Sequence, residues 1–540
     1  MSAVSTTSPQ RVSWTQTITS RARAEAPPLV DWIAALTTSI LLILSFPNFD
    51  LSPLAWIGLV PLLVVIARRP SPGSAFMLGW AAGTVFFYVS CHWLTYSIIN
   101  YGGLPTIVAY LTLVPGALVI GLFPGIFAML LAVVIQRFGA FALLLSPIIW
   151  VTLEYARLGV TGQLWNAIGY SQAYHPTMIQ SARLGGVYAV SLLIVAVNAA
   201  VALVVIKRSA KATFSGILVL LFTSVVLFFA AFSSAVDQRS SGHLSYATVI
   251  ALQPNVPMTL EKSSQELEDL LQRHLSMSAK ALEPYRNVDG RRLLVWPESP
   301  MNFTYASDRK FQEVVRRFAQ EYRTSILFNS LEPAPGNGSY NSAVLVNEEG
   351  RMISQYDKIR LLPFGEYVPI PRWLPGASLI TAIVGDFTPG ANYTLMPIHD
   401  YREAGVFICV ESAYPSIARA LTRSGADVLI NISNDGYLGP TAVMRQHMAN
   451  AVFRAVENGR PVLRVTNSGI TAFIERDGTI RDQTRAFESD IRVWRLADVH
   501  NSNTFYTRFG DLLAMLCTAL TAIIFLGGLV VRRRDLRSLR

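Results

Sequence analysis

Residues 405–412 read GVFICVES, an apolar run of strand-forming residues that stops at a thiol, Cys409, with a carboxylate, Glu411, two positions on. Working outward, similar short runs recur at 247–252, 293–296, 325–329, 342–346, 406–410, 428–432, 462–465 and 470–474. Helical patterns lie between them. In 308–322, Phe311, Val314, Val315, Phe318 and Tyr322 share one helix face, and in 441–458 Met444, His447, Met448, Ala451, Val452 and Ala455 do so. Asn347-Glu348-Glu349-Gly350 and Glu475-Arg476-Asp477-Gly478 read as hairpin turns. Strands alternating with helices, with some hairpins, predict an α/β domain built on a mixed sheet, and no internal sequence repeat is visible.

The chain of 540 residues is 51% hydrophobic and 15% charged, whereas soluble globular proteins average about 25% charged residues. This argues against a purely soluble enzyme, and ordinary Gly and Pro usage excludes a collagen-like or disordered chain. The net charge of +10 raises nucleic acid as a partner only until the charges are located. Residues 233–508 hold 29 basic and 29 acidic residues; the remaining 264 residues hold 16 basic and 6 acidic, which is the whole excess. A nucleic-acid binder would carry its basic face on the soluble domain, so none is expected as a partner. The pattern is that of a membrane protein.

A helix needs about 20 apolar residues to cross a bilayer. Such runs are expected at 30–48, 51–67, 75–95, 104–135, 139–157, 187–206 and 213–232, and an eighth at 509–531. The fourth is over-long and holds Pro115 and Pro124, so it reads as one kinked helix or as a helix with a re-entrant piece. With eight crossings and a cytoplasmic N-terminus, 14 of the 16 basic residues fall on the inner side, leaving only Arg157 and Arg183 outside. The expected layout is a cytoplasmic segment 1–29, a seven-span membrane domain 30–232, an extracytoplasmic catalytic domain 233–508, a last span 509–531 and a basic cytoplasmic tail 532–540. More spans follow the first run, which favours a retained helix over a cleaved leader. Cys91 and Cys517 fall in expected spans, leaving Cys409 as a lone thiol, either buried and inert or kept for reactivity.

Three polar groups sit at or just after expected strands: Glu298 in LLVWPES, Lys358 in YDKIRLLPFGE and Cys409 in GVFICVES. Sheets of this class present reacting groups at strand ends. Singly, each has a plainer reading, the Cys as a small hydrophobe and the Lys or Glu as a solvated surface group. Together they have a chemical logic. A thiol of pKa about 8.5 needs a base to become a nucleophile, a carboxylate in an apolar pocket supplies one, and an ammonium stabilises the oxyanion of a tetrahedral intermediate. Acyl transfer through a thioester is the matching reaction class. A Cys–His pair is the alternative, but His447 lies on the apolar face of its helix and reads as a satisfied core histidine. No metal is expected, since no His, Cys or carboxylate pair has a ligand spacing. No phosphate loop or GxSxG is present either, and 434–439 reads as a turn. The Pro- and Gly-rich stretch 363–397, with Trp373, Leu374, Leu379, Ile380, Ile383, Val384 and Phe387, reads as an apolar arm or lid beside a bilayer.

At these residues the chain resembles the carbon-nitrogen hydrolase, or nitrilase, superfamily. The matching pieces are LLVWPES, YDKIRLLPFGEYVP, GVFICVES, YNSAVL, NISNDGYLG and RAVENGRPVLRVTNSGIT. Fusion to membrane spans, together with LSPLAWIGLVPLL, CHWLTYSIINYGGLP and EYARLGVTGQLWNAIGYSQ, is similar to the bacterial apolipoprotein N-acyltransferase branch. Val410 and Tyr437 depart from the Tyr and Trp usual at those positions. The resemblance implies a four-layer αββα domain beside an α-helical polytopic membrane domain in the bacterial inner membrane, with the catalytic domain periplasmic. It also implies a ping-pong reaction without cofactor. Cys409 would be the nucleophile, Glu298 its base and Lys358 the oxyanion stabiliser, with Glu366 and Glu411 supporting them. A phospholipid would be the acyl donor and a diacylated apolipoprotein the acceptor, both reached from the lipid bilayer by an enzyme expected to be a monomer.

Overall fold

The computed structural model describes residues 26–239, 245–258, 263–298, 303–363, 365–367, 387–399, 401–497 and 502–538. The apolar arm lies largely outside these, as does the segment 1–25. The first part of the chain is helical: α1 (Leu29–Ser45), α2 (Val60–Arg68), α3 (Pro72–Ser90), α4 (Leu94–Asn100), α5 (Thr106–Phe138), α6 (Ser146–Thr161), α7 (Val187–Lys207) and α8 (Ala210–Arg239). Among the described residues, five helices are long and apolar enough to cross a membrane: Pro72–Ser90, Thr106–Phe138, Ala140–Thr161, Val187–Lys207 and Ala210–Val236. The count of eight is therefore not reached. The first, second and eighth expected crossings correspond to shorter apolar helices, Leu29–Ser45, Ser52–Arg68 and Leu512–Leu526. In the second, prolines at 53 and 61 open a 3-10 turn and the following helix, so the segment is broken where one continuous helix was expected.

The over-long fourth run is one helix, α5, with Pro115 and Pro124 inside it, so no re-entrant piece forms. It packs tightly on α3 because glycines let the backbones approach. A Cβ on Gly79 would stand 2.5 Å from the Pro124 carbonyl oxygen, and one on Gly83 would stand 2.6 Å from the Pro124 ring.

Beyond the helices come two six-stranded sheets. The first has the order β12-β1-β2-β3-β4-β5 and the second β11-β10-β9-β8-β7-β6. The strands are β1 (Ser245–Gln253), β2 (Arg291–Val295), β3 (Ser325–Pro333), β4 (Ser339–Val346), β5 (Met352–Asp357), β6 (Leu395–His399), β7 (Arg402–Ile408), β8 (Val428–Ser433), β9 (Val462–Thr466), β10 (Ala472–Ile474), β11 (Ile480–Arg481) and β12 (Asp490–Ala497). Each sheet has three parallel strands, β1-β2-β3 or β7-β8-β9, flanked by an antiparallel edge strand and an antiparallel pair. The two sheets thus share a topology that no sequence repeat announces.

Period-two burial explains why the sheets stack. Val249, Leu293, Val295, Leu327 and Leu345 of the first meet Val406, Ile408, Ile430, Ile432 and Val465 of the second in one apolar layer. The alternate residues Ile250, Leu252, Leu294 and Trp296 face outward onto helices α9 (Ser264–Leu282) and α10 (Arg309–Tyr322). A capping box between Ser263 and Glu266 starts α9, and the Asp308 carboxylate caps α10. On the second sheet, α11 (Pro415–Ser424) and α12 (Val443–Asn458) complete an αββα sandwich. The helix Leu512–Ser538 ends the described chain.

All of α12 except Arg445 is buried. One side rests on the second sheet and the other on the membrane helices, so a single apolar cluster runs from Phe407 and Leu429 through Met448, Val452 and Phe453 to Tyr170, Tyr188 and Ile194. Gln446 pairs several polar groups in this seam. The Gln446 side chain accepts the indole N–H of Trp93 (3.0 Å) and of Trp165 (2.9 Å) and donates to the carbonyls of Ser90 (3.0 Å) and Pro47 (3.3 Å). A Gln446→Leu substitution strands these buried groups, each at about 1–3 kcal/mol. It is expected to lower the thermal unfolding midpoint of the protein in lipid nanodiscs by several degrees, and an unchanged midpoint would contradict this reading of the seam.

Candidate active site

Lys358 and Cys409 directly follow β5 and β7, Glu298 lies three residues beyond the end of β2, and the stacking of the sheets brings these ends to one place. The Lys358 ammonium is 1% exposed; it donates to Glu366 Oε1 at 2.8 Å and stands 3.5 Å from Glu298 Oε1. Burial would lower its pKa, but Glu366 first, then Glu298 and the Cys409 thiol, outweigh that and hold it well above the usual lysine value.

Two residues not singled out in the sequence hold the carboxylates. The Asn341 amide on β4 donates to Glu298 Oε1 (3.0 Å) and to Glu366 Oε1 (2.7 Å), and is itself oriented by the Asn329 amide, which donates to its oxygen at 2.7 Å. The backbone N–H of Asn434 donates to Glu298 Oε2 at 3.0 Å. Glu366 Oε2 accepts from the Leu362 N–H at 2.7 Å. Asn341 lay in view as a polar residue inside the strand YNSAVL, whereas a backbone donor such as that of Asn434 leaves no mark in composition.

The strand expected at 406–410 stops at Ile408. Cys409 has φ of 52°, and residues Cys409–Ala413 form a 3-10 turn. This left-handed conformation costs a non-glycine residue about 1–2 kcal/mol, and it lifts the side chain out of the strand's alternation. Cys409 is partly exposed, and all three cysteines are free thiols. Burial pushes the Cys409 thiol well up, Glu298 adds to this, and Lys358 opposes it. At rest the sulfur therefore holds its proton beside a carboxylate and an ammonium.

Glu411 is fully buried and ties the Cys409 turn to the segment bearing Lys358. Its carboxylate accepts the backbone N–H groups of Ile408 (2.7 Å), Ile359 (2.8 Å) and Arg360 (3.0 Å) and the Tyr356 hydroxyl (2.9 Å). The structure thus brings together all five residues expected from the sequence. Among the described residues, no group of three His, Cys, Asp or Glu side chains is placed to hold a metal ion.

His447 is not only a core histidine. Its ring stands between Asp435 and the Cys409 carbonyl oxygen, with Arg464 behind. The segment 434–439 is a 3-10 turn backed by the membrane part, where the Ser97 hydroxyl donates to the Tyr437 carbonyl at 2.6 Å and the Tyr101 and Tyr437 rings pack edge to face.

A two-sheet αββα sandwich with Glu, Lys and Cys at its strand ends defines a carbon-nitrogen hydrolase, and residues 247–500 match the family model described as carbon-nitrogen hydrolase. Residues 38–200 match a second model, the apolipoprotein N-acyltransferase N-terminal domain. The chain is 33% identical to the apolipoprotein N-acyltransferase of Geobacter metallireducens, over 95% of this chain and 97% of that protein. It is 27% identical to that of Chlorobaculum tepidum, over 92% and 96%. The chain belongs to the apolipoprotein N-acyltransferase family. It is an integral membrane acyltransferase of lipoprotein maturation that joins a helical membrane part to a nitrilase-like domain.

Burial raises the Glu411 carboxyl from 4.5 to about 7, against the lowering pull of the Ile408 and Arg360 N–H groups. A group that binds its proton more tightly folded than unfolded stabilises fully below its unfolded pKa, and that stabilisation is lost as pH rises through the folded value. Wild-type stability is thus expected to carry a falling component between about pH 4.5 and 7 that Glu411→Gln lacks. Unfolding midpoints measured across that range in detergent check this; parallel slopes for the two proteins would contradict it.

Proposed function

We propose that this enzyme moves an acyl chain from a membrane phospholipid, through a thioester on Cys409, to the N-terminal α-amino group of a diacylglyceryl-cysteine. The observation that carries the residue assignment is the convergence of Glu298 and Cys409 on the buried Lys358 ammonium. Glu298 takes the proton from the Cys409 sulfur, and the thiolate attacks the donor's ester carbonyl. Lys358 faces the oxyanion that forms. Collapse expels the glycerol oxygen, which takes the proton back from Glu298, and a lysophospholipid leaves. In the second half the amine attacks the thioester and gives up a proton through Glu298 to the departing Cys409 sulfur, leaving an amide and a free thiol. Glu366 positions Lys358, and Glu411 supports the turn that presents the nucleophile.

In this reading the chain lies in the bacterial inner membrane, crosses it eight times with the three shorter helices included, and keeps both termini cytoplasmic. Residues 233–508 then face the periplasm. The distribution of basic residues supports this orientation. The enzyme acts as a monomer, since a single chain supplies every group named above.

Incubation with phospholipid is expected to leave a hydroxylamine-labile acyl group on Cys409, seen by mass spectrometry of the intact protein. Cys409→Ala should carry none, and undiminished label there would remove the assignment. Glu298→Gln is expected to slow acyl-enzyme formation by about 100-fold or more; a rate within a few-fold of wild type would show that another group takes the proton.

A further inference from the structure

Around the site, Lys358 is paired with Glu366 and Glu298, Arg464 with Asp435, Arg454 with Glu457 and Arg445 with Asp50. Arg360, just beyond Lys358 in the chain, differs from these. Its side chain is exposed, and among the described residues its guanidinium has an aromatic partner, the Tyr414 ring at 5.7 Å, and no carboxylate.

The backbone fixes where that charge stands. Glu411 Oε1 accepts the Arg360 N–H at 3.0 Å, and the same carboxylate holds Ile408, the residue before Cys409. Tyr414 directly follows the turn Cys409–Ala413, and its N–H donates to the Glu411 carbonyl at 3.0 Å. Arg360 is thereby tied to the Cys409 turn through its main chain and through the ring it lies over. That ring also reaches the end of α6, since a Cβ on Gly162, the left-handed cap of the helix, would stand 3.7 Å from Tyr414 Cε1. The span that ends in α6 is long and apolar enough to cross a membrane, and Val160 in its last turn is an exposed apolar side chain. Beyond the cap, the Leu164 N–H donates to the Ala413 carbonyl at 3.4 Å. Gly162 thus marks the level at which the apolar span gives way to the catalytic domain, which is the level of the lipid headgroups.

We propose that Arg360 binds the phosphate of the acyl donor, so that the first half-reaction selects a glycerophospholipid. This rests on the reaction proposed above. With the donor's ester carbonyl between the Cys409 sulfur and the Lys358 ammonium, its phosphodiester lies a few bonds further along the glycerol, at the membrane surface where the Arg360 guanidinium stands without an anion. A guanidinium matches a phosphate with paired N–H donors and is more weakly hydrated than an ammonium. Its contact with the Tyr414 ring steadies it and leaves N–H groups to donate. The phosphodiester is common to glycerophospholipids, so the contact selects the class and not a particular head group. A diacylglyceryl-cysteine has no phosphate, so Arg360 takes no part in the second half-reaction.

The test uses the full-length protein in detergent micelles. Acylation of Cys409 is followed by intact mass at sub-saturating donor, from phosphatidylethanolamine and from the diacylglycerol with the same chains. Wild type is expected to react about tenfold or more faster with the phospholipid, and equal rates overturn the proposal. Arg360→Gln is expected to react about tenfold more slowly than wild type with the phospholipid and within about twofold of it with the diacylglycerol. Arg360→Lys, which keeps the charge, should regain part of the phospholipid rate. Slowing of Arg360→Gln by the same factor with both donors, or with neither, overturns the Arg360 assignment alone. Preformed acyl-enzyme of Arg360→Gln should pass its acyl group to a diacylated lipopeptide at the wild-type rate, and a slowed transfer also overturns the assignment. Acyl label that persists in Cys409→Ala overturns the nucleophile reading and this inference with it.

Discussion

A lysine ammonium buried between two carboxylates is the constraint on which the rest of the structure depends. Taken out of water, Lys358 would be costly unless paired. Glu366 and Glu298 pair it, and Asn341 holds both carboxylates so that they face the same cation. These groups lie on or after strands of the first sheet, whereas Cys409 follows β7 of the second, so the ammonium and the thiol meet only while the two sheets are stacked in register. The apolar layer between the sheets sets that stacking, and Glu411 carries it to Cys409 by gripping Ile359, Arg360 and Ile408 at once.

A second constraint explains why the catalytic domain is not an independent soluble body. The helix Val443–Asn458 would have a solvent face in a free αββα sandwich, yet here all of it except Arg445 is buried. The membrane helices occupy that side, and Gln446, Arg454 and Glu457 meet them with paired polar groups. Long acyl chains leave a bilayer for water at about 0.8 kcal/mol per CH₂. An enzyme of lipoprotein maturation avoids that cost by holding its site against the membrane part. Ser97 and Tyr101, beside the turn that presents Asn434 to Glu298, extend the contact toward that carboxylate.

Much of this was legible in the sequence, for physical reasons. Glu298, Lys358 and Cys409 each interrupt an apolar strand pattern at its end, where a charged or reactive group has no packing reason to stand. The α/β alternation followed from period. The missing parts are those that periodicity cannot express. Helical spacing put His447 on a buried face but could not say that the buried partners are Asp435 and the Cys409 carbonyl. The Asn434 N–H belongs to no side chain. The shared topology of the two sheets arises from chain connection, not from repeated residues. Hydropathy also smoothed the broken segment Ser52–Arg68 into one span, because prolines weigh little in an apolar average.

The central claim is that the acyl group passes through Cys409 to an amine and not to water. The most direct measurement takes acyl-enzyme preformed with a labelled phospholipid and adds a diacylated lipopeptide with a free α-amino group. The account predicts rapid loss of label from Cys409, with its recovery as an amide on the lipopeptide, and slow release of free fatty acid when the lipopeptide is absent. Equal rates of fatty-acid release with and without the lipopeptide, and no labelled amide, would contradict it.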